Sequence, residues 1–269
     1  MVGGFKLFKN LIKKDFSYIL GFLHGDGSYY EQTRNRGRIS IELSYKDKDI
    51  LDKFEEILSE IGVKVGRGER VRDTTFKKNY RTSQLNIYDW EFRKFIKVPV
   101  GKKPSIIDPY NYNTISKDYI RGLTDADGSM GITSKNRPFW SLTTSSDKVK
   151  EFILENIEKV TGVEKEINRN KRDNVYNITL FDEDAIEYLN YLYKDSNLYL
   201  ERKFKSYKYT LTWQRTVPKR SSCGRWKPHE VKVLLSEEFT MDEKLSILKH
   251  RTYNSIKSKL NKLNIVTKN

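Results

Sequence analysis

Two similar segments, 101 positions apart, constrain the fold of this 269-residue chain more than any other feature. The first, YILGFLHGDGS, spans residues 18–28, and the second, YIRGLTDADGS, spans residues 119–129. Each predicts a helix that ends in an aspartate, followed by a glycine that lets the chain turn into a strand. A repeat with one acid per copy predicts two equivalent subdomains, in which Asp26 and Asp127 meet across a pseudo-twofold axis.

Apolar periodicity predicts the same order of elements after each segment. Alternation over 38–45 is typical of a strand with one buried face, and helical spacing over 47–61 ends at a glycine. The other elements of the first copy are strands at 29–34, 63–72 and 80–88 and a helix at 89–96. The second copy has strands at 129–134, 139–144, 164–170 and 174–181 and helices at 147–161 and 183–193. Asp15 and Ser116 are predicted to cap the two segment helices, so each copy reads αββαββα.

Small residues on both segment helices indicate how the two copies meet. Gly21 and Gly25 lie one helical turn apart, and so do Gly122 and Ala126. Small residues at this spacing let two helix backbones approach closely, so these helices are predicted to pack together and to bring their terminal aspartates side by side. Two carboxylates at helix C-termini repel each other and oppose the helix dipole. A cation is therefore expected there, and oxygen ligands favour Mg²⁺.

Charge and cysteine content narrow the class of partner. The chain has 51 Lys and Arg against 36 Asp and Glu, a net charge of +15, which points to nucleic acid or an anionic membrane as the partner. No apolar run is long enough to span a membrane. Because basic residues occur along the whole chain, a long DNA footprint is favoured and no membrane partner is expected. Without a signal peptide, the protein is expected inside the cell: in cytoplasm or nucleoid, or in an organelle if the gene is organellar. Cys223 stands alone, which excludes a disulfide framework.

The letters ILGFLHGDG at 19–27 and IRGLTDADG at 120–128 resemble the two motifs of single-chain LAGLIDADG homing endonucleases. The resemblance extends over about residues 12–212. It implies an α+β fold, in which two pseudo-twofold-related αββαββα subdomains form a DNA-binding saddle with the motif helices between them. It also implies hydrolysis of both DNA strands with Mg²⁺, leaving 3′ overhangs, and Mn²⁺ or Ca²⁺ as ions able to substitute in binding.

The resemblance also assigns roles to individual residues. The metal-binding acids correspond to Asp26 and Asp127, with the carbonyl of Gly25 or Ala126 completing the coordination. The family places a lysine near the metal site, which matches Lys103 and Lys203, and such a cation could stabilise charge on the phosphorane. The alternative is that both lysines contact backbone phosphate or solvent.

One motif position departs from the pattern, and two hydroxyls receive a weaker assignment. The sixth letter is Asp125 in the second motif but His24 in the first. We expect His24 to be a neutral hydrogen-bond donor near the subdomain interface rather than a metal ligand. Ser44 and Thr144, at the ends of the second strands, are weaker candidates for positioning water.

A concave sheet on DNA would use the polar sides of its strands, where Arg, Gln and Asn can contact base edges. The candidates in the first half are Tyr30, Gln32, Arg34, Arg38, Ser40, Glu42, Arg70, Arg72, Arg81 and Ser83. Those in the second half are Thr133, Lys135, Arg137, Ser141, Thr143, Asn168, Asn170 and Asn177. Each of them is open to the alternative of a solvated strand face. Because the two halves differ at these positions, a long non-palindromic duplex target is expected.

The pattern changes after Pro218, where a basic linker precedes three short helices. A leading Trp226, Pro228 near the first helical position, and a basic third helix resemble a Myb/SANT-type helix-turn-helix. Ile256 and Leu260 are predicted to point inward. The DNA-contacting candidates are Arg251, Asn254, Ser255, Lys257 and Lys259. The alternative is a helical cap that packs on the main domain or binds protein.

These inferences predict a monomeric, Mg²⁺-dependent, sequence-specific DNA endonuclease. Its expected divisions are a first subdomain at 12–98, a linker at 99–115, a second subdomain at 116–217, a basic linker at 218–225 and a helix-turn-helix domain at 226–266. Two alternatives stay open from sequence alone: an RNA-binding intron maturase on the same scaffold, and a DNA-binding regulator that does not cut.

Overall fold

The computed structural model describes residues 13–75, 78–96, 106–215 and 226–266 of the chain, which divides into two units. The larger unit comprises Met1–Thr161 and Lys165–Trp213, and the smaller one comprises Gly162–Glu164 and Gln214–Asn269. Two sequence predictions, the lysine at position 103 and the basic linker at 218–225, lie outside the described residues.

Two series of elements in the larger unit follow one another in matching order. The first series is α1 (Lys13–Asp26), β1 (Ser28–Glu31), β2 (Gly37–Ser44), α2 (Lys48–Glu60), β3 (Val65–Arg72), β4 (Tyr80–Ile87) and α3 (Trp90–Ile96). The second is α4 (Ser116–Asp127), β5 (Ser129–Ile132), β6 (Pro138–Thr144), α5 (Asp147–Thr161), β7 (Tyr176–Phe181), α6 (Asp182–Tyr193) and α7 (Glu201–Thr210). The predicted α+β class is confirmed.

Each series forms one antiparallel sheet that has a buried face and a polar face. The strand order is β1-β2-β4-β3 in the first sheet and β5-β6-β7 in the second. In β2 the side chains of Ile39, Ile41 and Leu43 are buried, as the alternation predicts, and in β6 Trp140 and Leu142 are buried. The core of each half therefore lies on one side of its sheet, and polar side chains occupy the other side.

The predicted strand at 164–170 does not form, so the second sheet has three strands. The segment still lies beside β7, because the Asn170 amide donates to the Val175 carbonyl at 2.8 Å and Lys165 Nζ donates to the Thr179 carbonyl at 2.5 Å. Only one of its seven residues is apolar. Little side-chain packing is therefore available to stabilise it as an edge strand.

The starts of two helices differ from expectation, and one further helix was not predicted. Asp15 lies inside α1 rather than before it, and Ile115, not Ser116, is the N-cap of α4. The sequence did not indicate α7, whose residues ERKFKSYKYT are mostly charged or polar. This additional helix carries Lys203 in its first turn.

The smaller unit contains three helices, α8 (Pro228–Leu235), α9 (Met241–Ile247) and α10 (Tyr253–Val266). Thr240 caps α9 by accepting a hydrogen bond from the Glu243 amide at 3.3 Å, and Glu243 bonds back to it. Leu234, Leu248 and Ile256 form its buried core, and Leu260 packs against them, so the predicted inward face of α10 is confirmed. No helix among the described residues has both the length and the apolar character needed to cross a membrane.

Candidate active site and nucleic-acid interface

The two motif helices, α1 and α4, pack against each other along a face of small residues. A Cβ atom on Gly21 would lie 2.1 Å from the carbonyl oxygen of Tyr119, and one on Gly122 would lie 2.1 Å from that of Tyr18. No side chain tolerates such distances, so glycine at both positions allows this backbone separation. The close packing that the small-residue spacing predicts is confirmed, with matched contacts from the two copies.

The same interface brings the C-terminal ends of the two helices together. A Cβ atom on Gly25 would lie 2.4 Å from the Cβ of Ala126 and 3.7 Å from the backbone nitrogen of Asp127. Asp26 is half-buried and Asp127 is exposed. The two carboxylates therefore leave the interface where it meets solvent, from equivalent positions.

Lys203 lies beside both of these aspartates. Its ammonium group donates to the carbonyl of Gly128, the residue that follows the second aspartate. Burial, together with the nearby Arg202, lowers the pKa of Lys203, and the charges of three aspartates, among them Asp26 and Asp127, oppose this lowering. Both carboxylates are thus close enough to influence one ammonium group.

The donor atoms at this junction fit a hard divalent cation. The carboxylates, with the carbonyls of Gly25 and Ala126, offer only oxygen, which Mg²⁺ and Ca²⁺ prefer. Within the described part of the chain, no group of three or more His, Cys, Asp or Glu side chains could hold a metal. A cation bound here would therefore need water or substrate oxygens to complete its coordination.

Two buried hydrogen bonds link the sixth letter of each motif to the tyrosine that immediately precedes the other motif. His24 Nδ1 lies 2.8 Å from Tyr119 Oη, and Tyr18 donates to Asp125 Oδ2 at 2.6 Å. Burial lowers the pKa of His24 to about 4, so its imidazole is neutral at neutral pH. This agrees with the sequence expectation of a neutral histidine near the subdomain interface.

The polar face of the first sheet carries most of the residues predicted to contact DNA in that half. The strand register places Tyr30 opposite Arg38 and Glu42 opposite Gln84. Glu42 accepts a hydrogen bond from Thr82 at 2.8 Å. The predicted residues on this face are Tyr30, Arg38, Ser40, Glu42, Arg70 and Arg72, and Gln32 and Arg34 follow in the turn after β1.

Arg81 and Ser83 lie on the opposite face of the first sheet, so their predicted place on the polar side of the strand is wrong. Arg81 forms an ion pair with Glu69 at 2.6 Å. Ser83 is buried and accepts a hydrogen bond from Arg67 at 2.9 Å. Their side chains are engaged within the sheet and with its helix-covered side.

Sequence reasoning missed the polar side chains of β4 that do lie on the polar face. Leu85 and Ile87 are buried, and they fix which alternate residues of this strand point into the core. The apolar letters at 85 and 87 could have predicted the faces of this strand, because residues two apart on a strand share a face. The residues on the polar face are Thr82, Gln84 and Asn86.

The polar face of the second sheet is smaller. Ser141, Thr143 and Asn177 share it, and Thr143 donates to Asn177 at 2.9 Å. Thr179, opposite Ser141, shares this face and was missed. Of the other predicted residues, Thr133, Lys135 and Arg137 lie in the turn between β5 and β6, and Asn168 and Asn170 lie in the segment beside β7.

Each half anchors the turn between its first two strands with a side chain from later in that half. The carbonyl of Asn35 accepts a hydrogen bond from Arg93 at 2.5 Å. The carbonyl of Asn136, 101 positions further along, accepts one from the Trp213 indole at 2.8 Å. Arg137, in the second turn, also donates two hydrogen bonds to the carboxylate of Asp182, at 2.9 and 2.8 Å. Asp182 is the first residue of α6, the helix that follows β7.

The two weaker hydroxyl candidates have different surroundings. Thr144 lines a cavity of about 200 Å³ together with His24 and Asp127, so it is near one of the paired acids. Ser44 is half-buried at the end of β2, opposite Thr82. The geometry therefore gives Thr144 the stronger claim to a role in the site.

In the smaller unit, Arg251 is an internal ion-pair partner rather than a surface contact. It donates to both oxygens of Glu230, at 2.9 and 2.7 Å, and its side chain is buried over Trp226. Burial raises the pKa of Glu230, but hydrogen bonds, chiefly from Arg251, outweigh this and lower it to about 2. These contacts engage the Arg251 side chain inside the unit, which argues against its predicted DNA contact. Of the remaining candidates, Asn254 and Lys257 are exposed and Ser255 and Lys259 are half-buried.

Comparison with known proteins gives similarity in sequence and in fold. Of curated proteins from Methanocaldococcus jannaschii, the tRNA-splicing ligase RtcB is 27% identical over 162 residues, which cover 53% of this chain and 17% of the ligase. An uncharacterized protein is 28% identical over 143 residues, covering 52% of this chain and 51% of its own length. The chain thus spans about half or less of these relatives.

Solved structures with a similar fold include the homing endonuclease I-DmoI, with 16% identity, 74% and 100% of the two chains covered, and a TM-score of 0.49. I-WcaI bound to its DNA recognition sequence has 17% identity, 76% and 88% coverage, and a TM-score of 0.49. The N-terminal LAGLIDADG domain of DUF199/WhiA has 15% identity, 71% and 87% coverage, and a TM-score of 0.45.

The family comparison matches the two halves separately. A family model described as a LAGLIDADG-like domain matches residues 13–97 and again residues 115–196. These two matches include both motif helices and more than half of the chain. The protein therefore belongs to the family of LAGLIDADG-like domain proteins.

Proposed function

We propose that this protein is a homing endonuclease that binds a long, specific DNA duplex and hydrolyses one phosphodiester bond in each strand, leaving 3′ overhangs. The observation that carries the proposal is the convergence of Asp26, Asp127 and Lys203 where α1 and α4 end. Two equivalent acids, one from each half, suit two scissile phosphates, one on each strand. A duplex-DNA substrate places the activity inside the cell.

The proposed chemistry divides between a metal ion and the residues of this chain. Bound Mg²⁺ would activate water and stabilise the developing charge on the phosphate. Asp26 and Asp127 would hold the ion with the carbonyls of Gly25 and Ala126. The buried ammonium of Lys203 would then contribute positive charge beside the same phosphate.

The proposed DNA surface consists of the polar faces of the two sheets and the turns between their first two strands. The net charge of +15 supports a polyanionic partner. The two polar faces have unlike residues, Arg-rich in the first half and Ser/Thr/Asn-rich in the second, which supports a non-palindromic target. We also propose that the protein acts as a monomer, because one chain supplies both acids.

The domain division at 12–98, 116–217 and 226–266, with linkers between, is part of the same proposal. The smaller unit would act as a helix-turn-helix whose third helix contacts DNA through Asn254, Ser255, Lys257 and Lys259. Support comes from the three-helix core and from the exposed basic side chain of Lys257 on α10. Such a unit would extend the target beyond the base pairs that the sheets contact.

Incubation of the protein with a randomised duplex library tests the proposal. With Mg²⁺, we expect cleavage of a small set of related sequences and sequenced ends with 3′ overhangs. With Ca²⁺ in place of Mg²⁺, we expect binding of the same sequences. Tight duplex binding without cutting in any divalent metal would instead favour a regulator, and preference for structured RNA would favour a maturase.

A further inference from the structure

A buried face of α4 holds the connection that leads into α7, the helix that carries Lys203. Arg121 Nε donates to the carbonyl of Leu198 at 2.9 Å. One helical turn later, Asp125 Oδ2 accepts a hydrogen bond from the backbone N–H of Leu200 at 2.8 Å. Leu200 is the N-cap of α7, so α4 fixes the point at which the lysine-bearing helix begins.

Asp125 is fully buried and both of its oxygens accept hydrogen bonds. Tyr18 donates to Oδ2 at 2.6 Å and Tyr193 donates to Oδ1 at 2.5 Å, in addition to the Leu200 amide. With no exposed surface and with these partners, the carboxylate is not available to a metal or to DNA. Its contacts instead join both motif helices to the start of α7.

The chain of contacts continues from Leu200 to the proposed active site. The Lys203 amide donates to the Leu200 carbonyl at 2.9 Å, which forms part of the first turn of α7. From this turn, the Lys203 ammonium reaches the Gly128 carbonyl, one residue beyond Asp127. The position of the ammonium therefore depends on where α7 starts.

We propose that Asp125 is a positioning residue for catalysis that acts through Lys203. By binding the N–H of Leu200, it sets the start of α7 so that the ammonium lies beside Asp26 and Asp127. This inference rests on the proposed endonuclease function. It explains why the second motif has a carboxylate at its sixth letter, whereas His24 at the equivalent place bonds the opposite tyrosine, Tyr119.

A double-mutant cycle in the full-length protein tests this role. The single-turnover cleavage rate and the DNA dissociation constant are measured for wild type, Asp125→Ala, Lys203→Met and the double variant, on a target selected from the library. Asp125→Ala removes the oxygen that accepts from the Leu200 N–H, so we expect it to lower the rate at least tenfold and to change the dissociation constant less than twofold. In the Lys203→Met background, the same substitution is expected to cause no further loss, because the residue through which it acts is gone.

Tyr193→Phe is the matched control, because it removes one hydrogen bond from the same carboxylate and leaves the bond to Leu200 in place. We expect less than a threefold loss of rate in this control. Rate losses that multiply in the double variant would overturn the inference, and so would a loss of DNA affinity that accounts for the loss of rate.

A second variant keeps the test decisive if Asp125→Ala does not fold. Leu200→Pro removes the N–H donor itself, and the φ of −80° at this position is compatible with proline. The same cycle with Lys203→Met then applies. If wild type does not cut at all, the proposed function fails; if wild type cuts and the two losses multiply, only the positioning role fails.

Discussion

Replacement of Gly21 with alanine tests whether close helix packing holds the site together. The added Cβ would lie 2.1 Å from the Tyr119 carbonyl oxygen, and ordinary contact begins at 3.4 Å, so α1 and α4 must separate locally by the difference, 1.3 Å. Over-packing of this kind costs about 1–3 kcal/mol. The higher helix propensity of alanine offsets up to about 1 kcal/mol of this cost. We therefore expect the free energy of unfolding to fall by about 1–2 kcal/mol.

The equivalent glycine of the second half allows a stricter test of the predicted loss of stability. Gly122→Ala is expected to cost the same amount, because its Cβ would meet the Tyr18 carbonyl at the same 2.1 Å. The double variant should cost less than the sum, since one separation of the helices relieves both contacts. The same movement displaces Asp26 relative to Asp127 by about 1 Å, and a displacement of that size reduces catalysis on the order of 100-fold.

Urea denaturation and single-turnover cleavage measure the two effects. Gly68→Ala is the control for stability, because its Cβ would meet the nearest atom, Gln84 Oε1, at an ordinary 3.6 Å. If Gly21→Ala were as stable as this control and cut DNA at the wild-type rate, the described packing of α1 on α4 would be wrong. If the losses of unfolding free energy were fully additive in the double variant, they would contradict the idea that one movement of α1 away from α4 relieves both contacts.

Three further predictions concern pH, the DNA surface and the smaller unit. Burial lowers the pKa of His24 to about 4 in the folded protein, whereas the unfolded value is 6.5. The contribution of neutral His24 to the free energy of unfolding is therefore fully present above pH 6.5 and is lost as the pH drops from 6.5 to 4. Denaturant titrations should show wild type losing about 3 kcal/mol more than His24→Gln over that window; parallel curves would contradict this. Library selection should show that Gln84→Ala alters base preference whereas Arg81→Ala does not, and equal effects would reverse the assignment of faces. Arg251→Met leaves the buried Glu230 carboxylate without its main partner, so hydrogen exchange over 226–266 should show a loss of about 3 kcal/mol; unchanged protection would exclude a structural ion pair.

Local patterns in the sequence predicted the helix pair and the buried sheet face, because each pattern is compatible with one arrangement of side chains. Gly21 and Gly122 at matched places in two apolar helices indicated a close helix pair, and the structure has their backbones in contact. Alternation in β2 indicated its buried face, with Ile39 and Ile41 in the core. In both cases a local pattern is sufficient, because periodicity alone decides which side chains face inward.

The remaining features depended on partners distant in sequence. The roles of Asp125 and Arg251 are set by Leu200 and Glu230, which no local pattern connects to them. The resemblance separated Asp125 from the metal-binding candidate at 127, but no local pattern indicated that Asp125 accepts a hydrogen bond from the Leu200 amide. For the same reason α7 was missed, since its few apolar residues pack on elements that precede it.

The most direct test of the account replaces each paired acid separately. Asp26→Asn and Asp127→Asn keep the side-chain size and remove one charge each, and Asp49→Asn, on an exposed position of α2, is the matched control. Double-strand cleavage of the selected target is measured with Mg²⁺, and binding is measured in parallel. We expect either site variant to abolish double-strand cleavage with the dissociation constant nearly unchanged, and the control to cut normally. Wild-type cutting by either site variant would contradict the claim that two acids, one from each half, form the active site.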